Sequence, residues 1–124
     1  MSTRSPQKAP KSALHREGVA TVDPALGIPQ EQGVNFNGYE FAHFTILPAG
    51  GANPTVLIYA WSEESSEFVP LLEAEAQPAP QGANAPYAFT IRAAGRILLA
   101  RISVLVAGTV DVEASGWDAN GGAA

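Results

Sequence analysis

A chain of 124 residues with a formal net charge of −5 has room for one domain. Its hydrophobic fraction of 46% includes 22 alanines, so the larger apolar side chains suffice for a single modest core. No cysteine is present, which excludes disulfides and thiolate metal sites, and no apolar run is long enough for a membrane-spanning helix. With 12 glycines and 10 prolines, the sequence is too interrupted for a helical bundle but suits short strands joined by turns.

Residues 1–38 read as an extended arm rich in Ser, Thr, Pro, Gln, Lys and Gly. Pro6, Pro10, Pro24 and Pro29 forbid a long helix, although Lys11–Glu17 has room for a turn or two and 18–23 has the texture of a short strand. The arm carries Arg4, Lys8, Lys11 and Arg16 before any acid, whereas residues 17–124 hold three bases and twelve acids. A basic arm on an acidic body argues against a nucleic-acid partner, which needs convergent Lys and Arg on the folded face. The first 16 residues also lack the apolar stretch of a secretory signal.

Strands are expected from residue 39 onward. Residues 39–47 place Tyr39 and Phe41 on one face and Phe44 and Ile46 on the other, a change of phase that suggests a bulge at His43. The cluster at 48–54 is a turn. Thr55–Ser62 is a strand with Val56, Ile58 and Ala60 on one side and Leu57, Tyr59 and Trp61 on the other. A polar turn leads to a short strand over 68–72, and 73–85 reads as a long loop. Residues 91–97 look like a three-residue hairpin with Gly95 left-handed, pairing Phe89 with Leu99. The second strand of that hairpin is apolar on both sides, so it must be covered on both sides. Thr109–Ser115 alternates, with Val110, Val112 and Ala114 inward and Asp111 and Glu113 outward. The expectation is an all-β fold: an antiparallel two-sheet sandwich or jelly roll of about seven to eight short strands over 39–115, followed by a Gly/Ala-rich tail at 116–124.

Chemistry-bearing patterns are scarce. His15 and His43 stand apart with no metal-ligand spacing, and no serine has a nucleophile-elbow context. Glu63, Glu64 and Glu67 crowd one turn as acids on solvated turns do, and Asn53-Pro54-Thr55 is barred from glycosylation by its proline. Trp61 and Trp117 with Tyr59 fit core or interface packing better than a sugar-stacking platform. The expectation is therefore no enzyme, no catalytic residue, no metal and no cofactor.

The run from Ile58-Tyr-Ala-Trp61 through Phe68-Val-Pro70-Leu, followed by Tyr87-Ala-Phe-Thr-Ile91 and Arg96-Ile-Leu-Leu-Ala-Arg-Ile102, resembles small β-sandwich virion proteins of tailed bacteriophages. The resemblance spans roughly residues 39–114, and the loop at 73–85 departs from it. It implies a capsid decoration or cement protein at the capsid surface, made in the host cytoplasm. Implied partners are further copies of the chain (a homotrimer), the major capsid protein or other virion proteins, without membrane or direct nucleic-acid contact. The alternative is a carbohydrate-binding or fibre- and neck-associated sandwich module. The expected interface residues are Arg4, Lys8, Lys11 and Arg16 of the arm, Leu98, Ile102 and Val104 on the outward side of the hairpin, and Trp117.

Overall fold

Alternation of period two sends neighbouring side chains of a strand to opposite faces, and the burial pattern of this chain follows that rule. The computed structural model describes residues 16–17, 28–104 and 107–117. Among these the strands are β1 (Arg16–Glu17), β2 (Val34–Asn35), β3 (Phe41–Ala49), β4 (Thr55–Ser62), β5 (Glu67–Pro70), β6 (Tyr87–Arg92), β7 (Ile97–Val104) and β8 (Thr109–Trp117). They form two antiparallel sheets, ordered β1-β8-β3-β6 and β2-β7-β4-β5. Pairing runs β1 with β8, β2 with β7, β3 with β6 and β4 with β5, as in one long hairpin folded over on itself. The pairs β3–β8 and β4–β7 then close the roll. This is the strand order of a jelly roll.

The core lies between the sheets. From the first sheet come Ala42, Phe44 and Ile46 of β3, Ile91 of β6, and Val110, Val112 and Ala114 of β8. The second contributes Val34 of β2, Val56, Ile58 and Ala60 of β4, and Leu98, Ala100 and Ile102 of β7. Phe36 is fully buried and meets Phe44 edge-on at 6.0 Å, while Phe89 stacks on Phe44 at 5.6 Å. Val34 and Phe36 thus belong to the domain, and the boundary expected at residue 39 falls too late. The expected strand over 18–23 lies outside the described residues, but Arg16–Glu17 is strand, not the end of a helical turn.

Two local expectations are corrected. β3 runs without a bulge at His43: Phe41 turns to the outer face of the first sheet, and the irregular register lies at Thr55/Val56 instead. Residues 91–97 do form a tight turn, with Ala94 and Gly95 left-handed at φ 50° and 72°. It joins strands of opposite sheets, however, and is not a hairpin. The amides of Ala93 and Ala94 donate to the Glu40 carbonyl and that of Gly95 to the Tyr39 carbonyl, at 2.7–3.0 Å, which carries the chain across to the second sheet. Phe89 therefore faces Phe44, and Leu99 faces Tyr59.

The long loop contains a single 3₁₀ turn at Ala74–Ala76, with Ala76 buried. It is tied to the β3–β4 turn by Asn84, whose amide donates to the Ala52 carbonyl (2.8 Å) and whose side chain accepts from the Gly51 amide (2.7 Å). Asn53 accepts the Gly82 amide at 3.0 Å.

Truncating Phe44 to alanine leaves a cavity at the centre of the sandwich and should cost about 3–5 kcal/mol in urea denaturation. Leu72, 82% exposed, should tolerate serine within about 0.5 kcal/mol. Ile102→Asp should fail to fold at any concentration, because it buries a charge inside the chain.

Candidate functional site

The outer face of the first sheet carries Phe41, His43, Thr45 and Leu47 on β3, flanked by Ala88, Thr90 and Arg92 on β6 and by Asp111, Glu113 and Ser115 on β8. His43 Nδ1 and Thr90 Oγ1 lie 2.9 Å apart, and Ser115 is the backbone partner of His43 on the other side. Arg92 donates to Glu40 at 2.6 Å in a largely exposed pair. Among the described residues no three of His, Asp and Glu converge as a metal ion requires.

Of the expected interface residues, Leu98 and Ile102 are fully buried within the chain itself. Register explains this. Leu98 opposes Ala60 and Ile102 opposes Val56, so both point between the sheets and neither can meet a second copy. Val104 pairs with Thr55 and Trp117 with Phe41 through the backbone, and Arg16 pairs with Val110; their side chains lie outside the described residues. Arg4, Lys8 and Lys11 also lie outside them.

The outer face of the second sheet is the more informative surface. Its side chains include Leu57, Tyr59 and Trp61 of β4, Ile97, Leu99 and Arg101 of β7, and Phe68 of β5. Leu99 is only 2% exposed and Arg101 6%. Burial lowers the Arg101 guanidinium from its ordinary value, with Tyr59 opposing the shift. Asn35 pairs with Ile97, Trp61 pairs with Phe68, and Ile97 follows the Ala60–Leu98 pair in register, so Asn35, Ile97, Trp61 and Phe68 form one row across the sheet. Gly33 lies on this row. A Cβ there would sit 2.7 Å from Ile97 Cγ2 and 2.9 Å from Phe68 Cζ, so only glycine allows the backbone to press so close.

Beside that contact the row opens into a groove of about 310 Å³ lined by Asn35, Asn37, Trp61, Glu63, Arg96 and Ile97. A second hollow of about 350 Å³, lined by Gln30, Glu31 and Gly33, shares Asn35 and Ile97 with it. The Trp61 ring stands edge-on to Phe68 at 5.0 Å. Arg96 donates through Nε to the Ala93 carbonyl (2.9 Å) and through Nη2 to the Arg92 carbonyl (2.7 Å), which fixes its guanidinium. Glu63 accepts a long hydrogen bond from Gln30 at 3.3 Å, and Asn35 accepts the Asn37 amide at 2.9 Å. Trp61 was visible in the sequence as a candidate aromatic. Asn35, Asn37 and Arg96 were not, because three separate segments bring them together.

No family model matches the sequence, and no curated protein matches it. Among solved structures the chain is similar to the K1 cleaved adhesin domain of Lys-gingipain (Kgp) from Porphyromonas gingivalis W83. The identity is 12% and the TM-score 0.45, over 91% of this chain and 82% of that one.

Tyr87 supplies a pH dependence. Its hydroxyl is buried with no hydrogen-bond partner among the described residues, and burial raises it above the ordinary tyrosine value of 10.0. The folded chain therefore holds this proton more tightly than the unfolded chain. The associated stability is present below the ordinary value and is lost as pH rises through it towards the raised one. Tyr87→Phe removes both the orphan hydroxyl and this linkage. It should stabilise the protein by about 1–2 kcal/mol at neutral pH and flatten the fall in stability between about pH 9 and 11, measured by urea denaturation across that range.

Proposed function

We propose that this chain is a non-enzymatic structural protein of a virion, of the capsid decoration type that braces the head lattice of a tailed phage. The observation that supports this most is the division of charge along the chain. The first 16 residues hold four bases and no acid, while the remainder holds twelve acids and three bases. The basic segment joins the sandwich at β1, which pairs with β8 of the first sheet. A basic segment on an acidic body favours the body of a neighbouring copy or an acidic shell beneath it. Each such contact is worth under about 1 kcal/mol at a surface, and many copies multiply it.

The jelly-roll order is compatible with this role, since that architecture serves capsid and lectin domains alike. The resemblance over residues 39–114 points the same way. The expected partners are further copies of the chain as a homotrimer, the major capsid protein and other virion proteins, and the expected location is the capsid surface. With Leu98 and Ile102 consumed by the core, attachment falls to the basic segment and to exposed side chains such as Leu47 and Val69.

Mass spectrometry of gradient-purified particles, from the phage whose genome encodes the chain, should find it at lattice-like copy number. A chain lacking residues 2–15 keeps β1 and should remain folded but leave the particle at lower salt than the intact protein. Absence of the chain from purified particles would overturn the proposal, as would identical salt release of the two forms.

A further inference from the structure

We propose that the groove beside Trp61 is a binding site for neutral saccharides, a function separate from the virion role. Sugars present two kinds of surface: a ring face of C–H groups that packs on an aromatic plane, and hydroxyls that both donate and accept hydrogen bonds. The groove offers a counterpart to each. Trp61 is half-buried, lines the groove and meets Phe68 edge-on, which offers an aromatic surface beside the polar groups. Around it stand a carboxylate that only accepts (Glu63), a guanidinium that only donates (Arg96), and two amides that do both (Asn35 and Asn37).

These polar groups are partly spent in a way that orients them. Arg96 uses Nε and Nη2 on the Ala93 and Arg92 carbonyls, leaving Nη1 for a ligand. Asn35 uses its carbonyl oxygen on the Asn37 amide and keeps its NH₂. The Asn37 side chain makes no hydrogen bond to another described residue and is exposed. The floor is built on paired strands, Asn35 with Ile97 and Trp61 with Phe68, and Gly33 packs against Ile97 and Phe68.

Charge narrows the ligand. Glu31 and Glu63 against the single Arg96 disfavour phosphates and polyanions, and the amides disfavour a purely apolar guest. A neutral, hydroxyl-rich ring meets neither penalty. The two hollows share Asn35 and Ile97, so the site continues beyond one ring and suits a disaccharide or the end of a longer glycan. Its volume lies at the small end of ligand sites and its mouth is open, so affinity of the order of 1 mM is expected.

The test is ¹⁵N NMR on the isolated full chain, titrated with cellobiose, maltose, lactose and diacetylchitobiose to about 20 mM each, well above that affinity. At least one sugar should shift the Trp61 indole N–H and the Asn35 and Asn37 side-chain amides along one saturating curve. Asn37→Ala and Glu63→Ala, both at exposed positions that spare the fold, should each weaken binding by about tenfold or more, while Leu72→Ser leaves it unchanged. No shift with any of the four sugars overturns the proposal, and so does a shift that survives both groove substitutions. Because the isolated chain is titrated, the result is independent of whether the protein belongs to a particle.

Discussion

The structure turns on one constraint: β7 is buried on both of its faces. Leu98, Ala100 and Ile102 meet the first sheet, while Leu99 and Arg101, on the opposite side of the same strand, are also withdrawn from solvent. A strand in a two-layer sandwich normally shows one face to water, so the second burial demands a further layer. Part of that layer is the segment ahead of β2, which lies on Ile97 and Phe68 at Gly33. Where it ends, Trp61 borders the groove with the amides of Asn35 and Asn37. The same requirement that covers the second sheet thus also sets the shape of the candidate site.

The folded-ribbon topology makes that site stiff. In the second sheet β2 and β4 are both held on β7, from a distant part of the sequence, and the turn carrying Arg96 is anchored on the carbonyls of Tyr39 and Glu40. At the other end, Asn53 and Asn84 lock the β3–β4 turn to the long loop before β6. A groove whose walls are fixed by backbone hydrogen bonds loses little further freedom on binding, which lowers the cost of holding even a small ligand.

Strands with strong alternation were legible from the sequence. Thr55–Ser62 has the bounds its pattern implies, and Val110, Val112 and Ala114 face inward as expected. Pairing was not legible. Residues 93–95 carry the conformation of a tight turn, and a tight turn between apolar runs reads as a hairpin. What sends β6 and β7 to different sheets is a set of hydrogen bonds to Tyr39 and Glu40, more than fifty residues earlier. That misreading also put Leu98 and Ile102 on an outward surface, although two-sided burial itself was rightly inferred. Val34 and Phe36 were missed because a two-residue strand among Gly and Asn displays no period. The groove escaped notice for a related reason: its residues acquire meaning only when β2, β4 and the β6–β7 turn are adjacent.

Whether the outer face of β7 is covered by the chain itself or by a second copy separates this account from its rival. The native chain has no cysteine, so a single Leu99→Cys substitution reports that face alone. Thiol labelling of this variant across a wide range of protein concentration is the direct measurement. The account predicts slow labelling at every concentration, since Leu99 is 2% exposed in a single chain. Rapid labelling in dilute solution that slows as concentration rises would contradict it, and would assign the cover to a neighbouring molecule.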